Sequence, residues 1–257
     1  MSGLARVVAE RFSASPQAPA FLGALGPVDL AVGPGITAFV GAPRSGARLF
    51  ARSVGRSAEL EGAVEMEGAL LLGSRSLLVP PAENVRCFVP TLLHADPLPG
   101  SIFDNVVLGL RARGVRRRAR LVAAAEAALH AVGLDALLAE PGRPAAALAP
   151  VERVRLALAR ALALRPLAVV VDLPAEDRAR LLPTLEARSI THLPLLIVGE
   201  TDERAGVERL LRVADEVAFF QEGALVEHGP SPEVLTRPRT AAFERFLAGP
   251  ERAGAAS

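Results

Sequence analysis

The stretch LAPVERVRLALARALALRPLAVVVDLP, residues 148–174, carries the order of elements that decides the fold. Its first half, Val151 to Leu164, reads as a helix. Arg165-Pro166 closes that helix, because the residue before a proline is driven out of the helical region. Leu167-Ala-Val-Val-Val171 follows at once. An apolar run with no polar alternation reads as a strand buried on both faces, the signature of a parallel sheet. Asp172 stands at its C-terminal end.

Working outward, Ile36-Thr-Ala-Phe-Val40 and Leu195-Leu-Ile-Val198 are further short apolar strands, and Val28-Asp-Leu-Ala-Val32 alternates as a half-buried strand does. Val64 to Leu72 reads as a hairpin region with Gly68 in the turn, and Arg86 to Val89 as another strand. Val217-Ala-Phe-Phe220 and Ala224-Leu-Val226 form a hairpin across Gln-Glu-Gly. Helices are expected from Ala47 to Val54, from Ser101 with Asp104 in the first turns, and from Arg120 to Val132 before Gly133. Two more helices close the chain. The fold class is therefore α/β: a mostly parallel sheet covered on both faces, with an N-terminal antiparallel β region and a helical subdomain at about residues 91–165. Residues 1–20 are expected to be loosely ordered, 21–248 to form one domain, and 249–257 to be a tail.

Between the strand at 36–40 and the helix from 47 lies GAPRSGAR, comprising Gly41, Ala42, Pro43, Arg44, Ser45, Gly46, Ala47 and Arg48. Strand, glycine turn and helix is the layout of a phosphate-binding loop, in which backbone N–H groups at a helix N-terminus cradle phosphates. Such a loop is completed by a lysine and a metal-binding hydroxyl. Here those positions are Ala47 and Arg48, and Arg44 replaces the middle glycine.

The order and spacing of four further stretches resemble the ATP-binding-cassette (ABC) ATPase family. Leu148-Ala-Pro-Val-Glu152 with Arg155 and Ala159-Arg-Ala-Leu resembles the family's signature and its helix. Leu167 to Pro174 resembles the second nucleotide motif, an apolar strand followed by Asp-Glu-Pro. Phe88 to Val106 resembles the segment joining the core to the helical subdomain, and Val213 to Leu235 the closing stretch. Ser101-Ile-Phe-Asp-Asn105-Val and Leu225-Val-Glu-His-Gly-Pro230 look most like the ATPase subunit of phosphate importers.

The resemblance implies a P-loop NTPase core with residues 41–48 as the nucleotide-binding loop, ATP and Mg²⁺ as cofactors, and Asp172 as magnesium support. The departures are as specific. The signature reads Ala149-Pro150-Val151-Glu152 in place of Ser-Gly-Gly-Gln, and the catalytic glutamate is Leu173. The loop glutamine expected near Pro90 and Thr91 is missing, since the glutamines are Gln17 and Gln221 alone. The switch histidine is Glu200, which reads as a polar loop residue, and His192 precedes the strand and cannot substitute. The adenine-stacking tyrosine has no counterpart in a chain without Tyr; Phe21 is the nearest candidate.

Removing a general base costs about 10²–10⁴ in rate, and losing a preorganised donor about 10²–10³. The family's sites are composite, so damage to both the loop and the signature spoils either shared site. Three readings follow. The first is a non-hydrolysing pseudo-ATPase that docks on a membrane permease or a paralogous ATPase as a homo- or heterodimer. The second is an ATP-hydrolysing subunit of a phosphate importer. The third is a cytosolic regulator sensing a phosphate-bearing ligand through Arg44 and Arg48.

Composition is consistent with these. A net charge of +1 creates no field toward nucleic acid. The arginine run at 111–120 has no interleaved aromatics for base stacking and reads as a solvated helix face. Cys87 is the only cysteine, which fits a reducing cytosol. The four histidines share no ligand spacing. No apolar stretch is long enough to cross a bilayer, so a membrane role implies a peripheral place on the cytoplasmic face, held by a partner.

Overall fold

The strand Gly35–Gly41 (β3) shows why this sheet sits in the middle of the molecule. Ile36, Ala38 and Val40 enter one hydrophobic core and Phe39 enters a second on the opposite face. Side chains alternate across a strand, so apolar residues at both parities demand cover on both faces. Val169–Val171 (β7) and Pro194–Glu200 (β8) divide in the same way: Val169, Val171, Leu195 and Ile197 to one core, Val170, Leu196 and Val198 to the other.

The computed structural model describes residues 5–17, 23–56, 63–78, 89–187, 190, 192–201 and 204–249. The other described strands are Val7–Pro16 (β1), Leu25–Val32 (β2), Val64–Leu72 (β4), Arg75–Ser76 (β5), Thr91–Leu92 (β6), Glu216–Gln221 (β9) and Ala224–Pro230 (β10). The larger sheet runs β10-β9-β3-β8-β7-β6, parallel throughout except for the β9–β10 hairpin. The smaller runs β2-β1-β4-β5 and is antiparallel.

The helices are Ala47–Gly55 (α1), Ile102–Ala112 (α2), Arg118–Ala131 (α3), Pro150–Leu162 (α4), Ala175–Glu186 (α5), Arg204–Val213 (α6), Ser231–Thr236 (α7) and Ala241–Ala248 (α8). Helices α2, α3 and α4 pack on one another. Ser101 caps α2 through its hydroxyl, which accepts from the Asp104 N–H. The arginine run is mostly exposed, as expected for a solvated face.

Helix α1 is held between the two sheets. Its Phe50 stacks on Phe39 at 5.4 Å, meets Phe12 of β1 edge-on at 6.0 Å, and lies 5.9 Å from Phe220 of β9. Such aromatic contacts add about 0.5–1.5 kcal/mol each beyond area burial. This packing fixes the start of α1 against the ends of β3 and β8.

Two expectations are corrected. Residues 7–16, read as loosely ordered, form β1, which pairs with both β2 and β4. Residues 64–72 are one continuous strand and not a hairpin. Gly68 lies in that strand opposite a bulge: Glu10 faces Ala69 and Ser13 faces Glu67, so Arg11 and Phe12 share the single residue between. The residue needed there is glycine, because φ is +83° and a Cβ would lie 2.3 Å from the Arg11 carbonyl oxygen. Of the strand expected at 86–89, residues 86–88 lie outside the described residues, as does Phe21; pairing is seen at Thr91–Leu92.

Gly68→Val should lower the unfolding free energy by about 2 kcal/mol or more, combining left-handed strain with a backbone clash. Gly73→Ala, also at positive φ but with nothing near the added carbon, should cost only about 1 kcal/mol. Thermal melts of the two variants check the difference.

Candidate functional site

The loop from Gly41 to Gly46 leaves β3 and turns into α1. Gly41 is required by close approach: a Cβ there would lie 2.4 Å from both the Phe220 carbonyl oxygen and Ser45 Oγ. Gly46 forms the N-cap of α1 at φ 100°. Arg44 also adopts a left-handed conformation, at φ 66°, and is exposed. Ala42 and Pro43 are exposed, while Ser45 and Ala47 are buried. The Ser45 N–H donates to the Ala42 carbonyl at 3.0 Å, closing the turn.

Arg48 and Arg52 lie on α1 four residues apart and so share a face. Both reach Asp172 at the end of β7. Arg48 Nε donates to Oδ1 at 3.0 Å and Arg52 Nε to Oδ2 at 2.6 Å. Asp172 is itself placed by its N–H, which donates to the Leu92 carbonyl at 2.9 Å. The next residue, Leu173, is buried in the core.

Glu200 is the last residue of β8 and is 5% exposed, so it is not the solvated loop residue expected from sequence. Its Oε1 accepts from Ser45 Oγ at 3.0 Å, and Oε2 pairs with Arg48 Nη1 at 3.2 Å. Burial raises its pKa above the ordinary carboxylate value. The Arg48 charge, the Ser45 hydroxyl and the amides of Arg44 and Arg48 pull it back without cancelling the shift. Arg178, on α5, is buried and donates to the Val198 carbonyl at 3.0 Å. Its pKa is lowered by burial; the Asp172 charge opposes that and the Arg48 charge adds to it.

Arg48, Arg52 and Arg178 thus set three guanidinium groups against the two carboxylates of Asp172 and Glu200. A divalent cation does not fit this donor set. Both oxygens of Asp172, the expected magnesium support, are taken by guanidinium groups, and position 48 supplies a cation where a metal needs a hydroxyl. Among the described residues no cluster of three His, Cys, Asp or Glu side chains could hold a metal.

Glu152 is engaged locally: it accepts from the Ala149 N–H at 2.8 Å and caps its own helix, α4. A cavity of about 750 Å³ opens beside the loop, bounded by Arg44, Thr201, Leu211, Phe219 and Phe246. The structure brings Ser45, Arg48 and Asp172 of the expected residues together and leaves Arg44 on the rim. Sequence reading missed Arg52 and the part played by Glu200. The spacing of Arg52 from Arg48 was the available signal for the first.

No family model matches the chain. Among curated relatives, the phosphate import ATP-binding protein PstB of Mycobacterium leprae is 30% identical over 241 residues, covering 86% of this chain and 90% of the relative. Phosphate import ATP-binding protein PstB 1 of Streptococcus agalactiae is 26% identical over 223 residues, covering 83% and 86%. Among solved structures, cbiO1 from Clostridium perfringens, part of the ABC transporter complex cbiONQ, aligns with a TM-score of 0.70 at 16% identity over 90% of each chain. A bacterial Atm1-family ABC exporter with ATP bound aligns with a TM-score of 0.66 at 17% identity, over 95% of this chain and 42% of that one. The structural likenesses establish an ABC ATPase fold, and the sequence likenesses give the branch: the chain belongs to the phosphate import ATP-binding protein family of ABC transporter subunits.

Proposed function

We propose that this chain is a non-hydrolysing member of its family, a pseudo-ATPase that works as a docking subunit. Its partner is a membrane permease of the phosphate-import type or a paralogous ATPase, and it sits peripherally on the cytoplasmic face of the membrane. Among the described residues no helix is long and apolar enough to cross a membrane, so attachment would go through that partner. The observation that carries the reading is the double ion pair on Asp172. A carboxylate neutralised by two arginines is a poor magnesium ligand, and the buried Leu173 beside it offers no base for water.

Phosphoryl transfer needs charge stabilisation and a positioned nucleophile. Ala47 supplies no cation to the transferred group, Leu173 accepts no proton, and Glu200 adds negative charge near where phosphate charge would develop. Together these support a scaffold that keeps the packing of α1 between the sheets while giving up the chemistry.

Phosphate release from Mg²⁺-ATP by the purified full chain should stay at the no-protein baseline. Steady turnover approaching about 10 s⁻¹, an ordinary enzyme rate, would overturn the reading. A permease or paralogous ATPase should co-purify with the tagged chain from its own host. Asp172→Asn should leave phosphate release unchanged while lowering stability by about 1–3 kcal/mol, since it removes the charge that Arg48 and Arg52 share while Arg48 keeps Glu200. A denaturant melt beside the release assay reads both.

A further inference from the structure

The groups that would meet a phosphate at the start of α1 are already engaged with a side chain of the protein itself. Glu200 reaches across from the end of β8, its side chain shut off from solvent. Ser45 Oγ donates to one carboxylate oxygen and Arg48 pairs with the other, at 3.0 and 3.2 Å. The amides of Arg44 and Arg48, from the loop and the first turn of the helix, also act on this carboxylate and favour its charged form. Hydroxyl, guanidinium and helix-end amides are the donor types that bind an anion at a helix N-terminus.

We infer that Glu200 is the internal anion of this loop and the residue that decides whether a phosphate-bearing ligand can enter it. The inference rests on reading residues 41–48 as a phosphate loop that no longer supports hydrolysis. The tether gives the carboxylate an advantage that a free ligand lacks, because an attached group binds at high effective concentration. A phosphate entering beside it would set like charges together in a partly desolvated site, where repulsion is far stronger than in water. Lysine is absent from the loop, so no side-chain ammonium offsets that repulsion at position 47. Arg48 is shared between Glu200 and Asp172 and is not released to a ligand while both carboxylates are charged.

The test is calorimetric titration of the wild-type full chain, Glu200→Gln and Glu200→Ala with inorganic pyrophosphate and with ATP, each in EDTA and in Mg²⁺. Glu200→Gln is nearly isosteric and can still accept from Ser45; both variants retain the Arg48–Asp172 and Arg52–Asp172 pairs. The wild type should bind pyrophosphate and ATP weakly or not at all. Both variants should bind at least about tenfold more tightly, because the carboxylate charge is gone. Wild type binding as tightly as the variants, or variants that gain no affinity, would overturn the inference. A second measurement needs no variant: the ¹⁵N–¹H resonances of Arg44 and Arg48 in the wild type should not move on adding millimolar pyrophosphate, and shifts there would overturn it as well. The two ideas fail separately. Turnover by the wild type sinks the non-hydrolysing reading, whereas absent turnover with no gain in the Glu200 variants sinks only the role of Glu200.

Discussion

Asp172 sits at the end of a strand buried on both faces, where a lone carboxylate would be costly. Arg48 and Arg52 resolve that cost from one face of α1, and Arg48 spans on to Glu200 at the end of β8. One helix is thereby pinned electrostatically to the ends of two neighbouring parallel strands. A buried ion pair contributes little net stability against an apolar alternative, but it is specific: removing one member leaves the others uncompensated. The network therefore sets the orientation of α1 more than it stabilises the fold.

Stability comes from the packing around that helix. Phe50 lies against Phe39, Phe12 and Phe220, so α1 is gripped by residues of both sheets. The loop before it is shaped by backbone approach: Gly41 against the Phe220 carbonyl, and the Gly223 N–H donating to the Ser45 carbonyl at 2.9 Å. The shape of this loop is held by packing and backbone contacts, and neither depends on the side chains at positions 44, 47 and 48.

That division explains what could be read from sequence. Strands β3, β7 and β8 were legible because burial on both faces leaves unbroken apolar runs. Strand β1 was not: its burial alternates and is interrupted at Arg11, where the bulge falls, leaving Glu10-Arg11 and Ser13 to resemble a polar terminus. Gly68 misled for the same reason, since a glycine demanded by a bulge looks like one demanded by a turn. At the site, the glycines and Arg48 were legible from local order. The pairing of Arg52 with Asp172 spans 120 residues and that of Ser45 with Glu200 spans 155, so only the fold brings them together.

The sharing of Arg48 between two carboxylates also couples the positions around it. A lysine at position 47 would replace a fully buried methyl group with a charged chain. A hydroxyl at 48 would strip Glu200 of its ion-pair partner, and a glutamate at 173 would place a new charge in the apolar core. Each of these positions is therefore tied to its neighbours through burial or charge. The network acts as an interlock: no one of positions 48, 172 and 200 can change its charge without disturbing the partners of the others.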